Sequence, residues 1–349
     1  MTATLESENT RLAGGQERTL LDRVLRMREL AILVVLLLMI AATQIDNSTF
    51  LSKQGIKDLL LNATILVLVA VGEGVVVITR NVDLSVGSVL GVTAFAAGDY
   101  LQGGGNPVIA ILIAVAVGAV FGVLNGLLVG IGQVPSLVVT LGTLYIIRGL
   151  DSVWVGSREI TASILPSGFV NFGHDGIWAI PYLAILAAVV LVAVAYYLRN
   201  YRSGRECYAL GSNPQAAALA GVPTRRRVLG AFVLCGALAG LAGALYLARF
   251  GYADASTGTG YELTVVSAVV VGGVGFTGGS GSVYGAALGA LLLTSINSVL
   301  PAIGVSSVWV EAIDGILLLL AISLDRVVAL RIAGLLQRRA REARSATHG

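Results

Sequence analysis

The sequence predicts an all-α, polytopic membrane protein with about ten transmembrane helices, some of them short or broken. Three observations predict it. Of 349 residues, 56% are hydrophobic and 12% charged, against about 25% charged in soluble domains, and mean hydropathy is +0.86. A soluble chain of this make-up would lack the polar surface to cover itself. The apolar residues also fall into runs near the ~20 residues that a span needs. Finally, the arginines concentrate at the two ends and in one central segment.

The segments, in order, are 30–46, 57–79, 84–101, 107–132, 135–153, 177–198, 228–249, 261–275, 282–300 and 306–325. The first run starts at Leu30 behind a polar leader, too far in for a signal-peptide n-region, so it reads as a retained span. The runs 84–101 and 261–275 are short for a full crossing and read as half-membrane or broken helices. Domain organisation follows: a tail at 1–28, a transmembrane domain at 29–326 and a second tail at 327–349.

Charge placement tests the count. With ten spans, both tails, Arg80 and the segment 199–228 fall on one side, which carries 18 of the 23 basic residues. Lys53, Lys57, Arg148, Arg158 and Arg249 stay on the other. The positive-inside rule then places both termini in the cytoplasm. The long outward loop 154–176 carries Trp154, Phe169 and Phe172, suited to partner docking or to the headgroup level. The tails interleave acidic and basic residues, which argues against nucleic-acid binding.

The polar island 199–228 reads RNYRSGRECYALGSNPQAAALAGVPTRRRV. It predicts a short helix at 213–221. Asn213 suits the N-cap and Pro214 the first helical position. Ala216, Ala217 and Leu219 propagate the helix. Gly221 suits the left-handed position after it, and Pro223 blocks continuation. A helix this short is marginal alone in water, so the body of the protein or a partner must hold it.

Other motifs resolve into structure. Gly273–Gly278 matches GxGxxG but lacks a βαβ context, so it reads as a tight turn between membrane segments. No GxxxxGK[ST] phosphate loop exists, so any ATP hydrolysis must reside on another chain. Two scattered cysteines and two histidines exclude a disulfide framework or zinc site, and nothing calls for a cofactor. Glu73, Glu311 and Asp314 lie within apolar segments. A charge at the bilayer centre costs about 2.5–3.5 kcal/mol. Each of these carboxyls either lines a polar path or joins helices. Asp83, before Leu84 and Ser85, suits an N-cap. A faint inverted repeat pairs Asp83-Leu84-Ser85 with Glu262-Leu263-Thr264, and Gly118 and Gly122 with Gly285 and Gly289.

Five stretches together carry a family resemblance: ITRNVDLSVGSVLGVTA (78–94), VPSLVVTLGTLYIIRG (134–149), SGRECYALGSNPQAAALAGV (203–222), GTGYELTVVSAVVVGGVGFTGGSGSVYGAALGALLL (258–293) and LDR (324–326). The chain resembles the permease subunits of bacterial ABC importers for ribose and related sugars. That resemblance implies two permease subunits around a pathway, cytoplasmic ABC ATPases beneath them, an extracytoplasmic solute-binding protein, and a monosaccharide substrate. The setting would be the inner membrane and its lipid. It implies that the helix at 213–221 is the ATPase-coupling element, through Asn213, Pro214, Ala216, Ala217, Leu219 and Gly221. LDSVWVGSREIT (150–161) leans toward a rhamnose-type member. For the pathway, polar residues within apolar spans nominate Glu73, Thr140, Thr143 and Asn297. The competing reading is a stand-alone secondary transporter or channel using its intramembrane carboxylates.

Overall fold

The computed structural model describes residues 29–45, 47–302 and, beyond them, 304, 306, 309, 312, 313, 315–320 and 323. Both tails, Glu311, Asp314 and the LDR stretch lie outside the described residues, as does most of the tenth segment.

Helices dominate. In chain order they are α1 (Glu29–Ile45), α2 (Lys53–Ile78), α3 (Val86–Gln102), α4 (Pro107–Gly126), α5 (Ser136–Val155), α6 (Ser167–His174), α7 (Tyr182–Asn200), α8 (Arg202–Ser212), α9 (Pro214–Leu219), α10 (Thr224–Phe250), α11 (Tyr261–Val271) and α12 (Val283–Ala302). Local chemistry sets several starts. Ser52 Oγ accepts from Gly55 N to cap α2, and Asn106 Oδ1 accepts from Val108 N ahead of Pro107 to cap α4. α4 runs on through a wide π-helical turn at Leu127–Ile131.

Among the described residues, six helices are long and apolar enough to cross a membrane: α2, α4 with its extension, α5, α7, α10 and α12 up to Leu300. α1 and α11 are shorter apolar helices, and α3 has 17 residues. Burial sorts them. The most apolar window of α2 is 94% buried and that of α10 67%, against 22% for α4 and 28% for α7. α2 and α10 therefore form the axis, and α4 and α7 turn apolar faces outward, as lipid contact requires.

The two halves run in opposite directions. α2 and α10 are antiparallel, joined by Asp58 to Arg249 at one end and Glu73 to Cys235 further along. α4 lies antiparallel on α10, and α12 antiparallel on α2. A Cβ at Gly118 or Gly122 would strike the backbone carbonyls of Gly236 or Phe232, so the α4–α10 seam is set by missing side chains. Gly285 and Gly289 face α11 instead, at Gly272 and Ala268. That part of the sequence echo marks close packing rather than an equivalent contact. The other part holds: 83–85 and 262–264 stand at the starts of the two short helices, α3 and α11.

The long loop 154–176 is folded. β1 (Ile160–Thr161) pairs with β4 (Tyr252–Ala253), and β2 (Gly176–Ile177) with β3 (Ile180–Pro181). Ile160, Leu165 and Phe169 are buried beneath it. Trp154 meets Phe95 edge-on at 5.1 Å, and Phe172 stacks on Tyr182.

Candidate functional site

At the arginine-rich end, α8 and α9 form a two-helix platform. Asn213 Oδ1 accepts from Ala216 N at 3.0 Å, Pro214 opens α9, and Gly221 takes φ +79° just after it. These are the cap and stop that the sequence predicted. Ala217 is buried, whereas Leu219 is 91% exposed and projects from the platform. Ala216 and Ala220 share its exposure. α8 was not legible as a helix because RSGREC reads as polar loop. Its signal is the spacing of its buried residues: Gly204, Cys207, Leu210 and Gly211 line one face.

The platform is locked to the transmembrane body. Glu206 accepts from Arg202 Nε at 2.8 Å and from Arg227 Nε of α10 at 2.7 Å. The Arg227 hydrogen bond first, and Arg202 after it, hold the Glu206 carboxyl below its ordinary range. A Cβ at Gly211 would strike the Ile78 carbonyl and the Gly279 backbone. Gly279 N itself donates to Ile78 O at 2.9 Å, and Tyr208 Oη donates to Gly281 O. α8 thus abuts both the end of α2 and the glycines at 279–281 that follow the tight turn 273–278, in which Gly278 N donates to Gly275 O.

Beyond Ile78 the chain turns back into the bundle. Arg80 takes a left-handed φ of 67°. Residues 81–85 then run extended and turned until α3 begins. Asp83 N donates to Glu73 Oε1 at 3.0 Å. Asp83 Oδ1 accepts from Ser85 N at 2.9 Å and from Ser85 Oγ at 2.6 Å. Asp83 therefore caps the turn leading into α3 rather than its first helical residue, Val86. Asn125 Nδ2 donates to Ser85 Oγ at 2.8 Å. Thr140 Oγ1 donates to Val82 O and Ser136 O, and Val82 N donates to Ser136 Oγ. Thr143 Oγ1 donates to Thr140 O. Glu73 and Thr140 thus meet around the non-helical stretch 82–85, and Thr143 lies one turn further along α5.

Asn297 lies elsewhere, far along α12. It lines a cavity of about 470 Å³ with Asp58, Asn62, Gln54 and Phe50, and its Oδ1 is buried without a partner among the described residues. A third polar group completes the picture. Arg148 Nη1 donates to Thr257 O at 2.7 Å, and Asp254 accepts from Ser256 and Thr257. Gly87 and Gly91 admit Gly258 and Thr257 against α3. The first turns of α3 and α11 therefore meet inside the bundle, with Glu262 against Gly87. Asp151, nearby on α5, is 1% exposed, and both its oxygens lack hydrogen-bond partners among the described residues. Arg148, Asp151, Asp254 and Asn125 were not nominated from sequence; each is a polar residue in or beside an apolar run, the same signal that nominated Thr140. No His/Cys/Asp/Glu cluster among the described residues could hold a metal ion.

A bundle of this kind is matched by one family along most of its length. The family described as "Branched-chain amino acid transport system / permease component" matches residues 55–322. The chain belongs to this permease family. Relatives agree. The autoinducer 2 import system permease protein LsrC of Enterobacter sp. (strain 638) is 35% identical over 302 residues, 86% of this chain and 88% of its own. Its counterpart in Yersinia pseudotuberculosis serotype O:1b (strain IP 31758) is 36% identical over 292 residues, 84% and 83% of the two chains. That of Salmonella typhi is 37% identical over 289 residues, 83% and 82%. No solved structure matches the chain. The resemblance drawn from the five sequence stretches is borne out at the level of the family. The permease is a multi-pass membrane transport subunit and not itself an enzyme.

Proposed function

We propose that the permease is the transmembrane half of an ATP-driven importer for a monosaccharide, ribose- or rhamnose-like, in the bacterial inner membrane. A separate ABC ATPase docks under α8 and α9, a solute-binding protein delivers substrate from the opposite side, and a second permease subunit completes the pathway. Both termini and the platform face the cytoplasm. The observation that carries this reading is α9: a capped six-residue helix, seated rigidly on the body, with Leu219 held out into solvent. An exposed apolar tip on a fixed base suits a cleft in a partner. Push on it passes through Gly211 to Ile78 and Gly279, and so to the broken chain at 79–85. There Thr140 and Thr143 are the pathway candidates, with Glu73 positioning the Asp83 backbone behind them. Asn297 belongs with the polar cavity at the other face.

Reconstitution tests it. The permease goes into liposomes with and without a candidate ABC ATPase and solute-binding protein from the same genome, and ribose, rhamnose and autoinducer 2 are offered as labelled ligands. Uptake that requires ATP and both partners supports the reading, and binding by the soluble partner names the substrate. The buried carboxyls of Glu73, Asp83 and Asp151 favour a second reading, a stand-alone ion-coupled transporter. Uptake by the permease alone under an ion gradient would establish that instead.

A further inference from the structure

The seam between α7 and α10 holds a cavity of about 350 Å³ unrelated to the pathway candidates. Its wall is apolar: Val75, Val194, Ala231 and Leu234. Its mouth, at the arginine-rich end, is formed by Tyr197, Arg226 and Arg227. Arg227 is matched by Glu206 at 2.7 Å. Arg226 is exposed, and its guanidinium has no hydrogen bond or ion pair among the described residues. Arg202 and Arg227 share the single Glu206 carboxylate and Arg226 has none, so the mouth keeps a positive excess.

The occupant follows from where the cavity opens. α7 presents Val189 and Val192, both more than half exposed, beside it. In a membrane protein such faces meet lipid. An apolar slot ending in unneutralised arginine at the edge of a span matches one chemistry, an acyl chain with an anionic headgroup. We infer that this groove binds a single anionic phospholipid, its phosphate on Arg226 beside Arg227 and its acyl chain along the α7–α10 seam. A lipid held there bridges α7, α10 and, through Arg227 and Glu206, the root of the platform. Its occupancy would then bias how firmly α8 is anchored.

Gly230 provides the test. It lines the groove, and a Cβ built there meets nothing within 4 Å, so Gly230→Leu starts a side chain into the open slot, and an unchanged melting temperature shows that the fold accepts it. The purified full-length permease is titrated with phosphatidylglycerol and, separately, phosphatidylethanolamine, and bound lipid is counted by native mass spectrometry. Wild type should bind one phosphatidylglycerol in preference to phosphatidylethanolamine. Arg226→Gln should weaken that binding about fivefold, the effect of one juxtamembrane cation. Arg226→Lys should restore it, and Gly230→Leu should abolish it. Equal binding of the two lipids by wild type, or undiminished phosphatidylglycerol on either loss variant, overturns the inference. So does a result in which Arg226→Gln weakens ATPase binding while lipid is retained, since the mouth would then face the ATPase. None of these readouts requires transport, so their failure leaves the importer reading untouched.

Discussion

Leu219 is where the proposed coupling can be put to a quantitative test. It is 91% exposed, so its side chain stabilises nothing within the permease. If the ATPase cleft buries it, Leu219→Ala removes three carbons from that contact. At about 0.8 kcal/mol per buried carbon this is ~2 kcal/mol, or roughly 30-fold in Kd. Leu219→Asp should cost more, because a charge then enters an apolar cleft. Thermal unfolding of the purified permease should stay within about 0.5 kcal/mol of wild type for both variants, as for ordinary surface substitutions. The assay is ATPase binding to nanodisc-embedded permease, read by titration, with coupled uptake beside it. Unchanged affinity for Leu219→Asp at normal membrane abundance would refute the docking role of α9. Loss of affinity accompanied by a comparable loss of stability would refute the argument that the residue is free of the body.

Ala217 should behave in the opposite way, since it is buried under α9: Ala217→Glu should destabilise the platform by at least ~2 kcal/mol, seen as a lower melting temperature before any binding is measured. On α10, Gly236→Ala drives a Cβ into the Gly118 carbonyl and should cost about 1–3 kcal/mol. Gly230→Ala on the same helix meets nothing and should be neutral or gain up to about 1 kcal/mol, the two variants being compared by unfolding in detergent. Glu206 binds its proton less readily folded than unfolded, because Arg227 and Arg202 favour the carboxylate. Its contribution is therefore full above the ordinary value of 4.5 and lost as pH falls through the lower folded value. The protection of α8 against hydrogen exchange, corrected for the intrinsic rate at each pH, should fall on acidification below the ordinary value of 4.5, and Glu206→Gln should remove that dependence.

The sequence made the spans legible because lipid demands long apolar runs, and it made α9 legible because Asn213, Pro214 and Gly221 punctuate it locally. It hid α8, whose pattern is too short and too polar to stand out from a loop. It hid the order in 154–176 because that segment is fixed by distant partners, Ile160 by β4 and Trp154 by Phe95. The polar candidates were legible singly but not as groups. Glu73 and Asp83 are ten residues apart, yet their meeting depends on the chain reversing at Arg80. Thr140 reaches Val82 across 58 positions, which no local pattern encodes.

Those groups share a physical cause. α3 and α11 both start inside the bundle, so each leaves backbone N–H and C=O groups that must find partners outside their own helix. At 79–85 the partners are side chains: Glu73 for Asp83 N, Ser136 for Val82 N, Thr140 for Val82 O, Asp83 for Ser85 N. At 251–260 they are Arg148 for Thr257 O and Asp254 for Ser256 N. The same breaks aim two helix N-termini, each with partial positive charge, at one internal point. Only the first break touches the platform, through Ile78, Gly279 and Gly211. A displacement of α8 therefore reaches the 79–85 turn first. It reaches the second break across the close contacts of Gly87 with Gly258 and of Gly91 with Thr257, where any added side chain would force α3 and the 257–258 backbone apart.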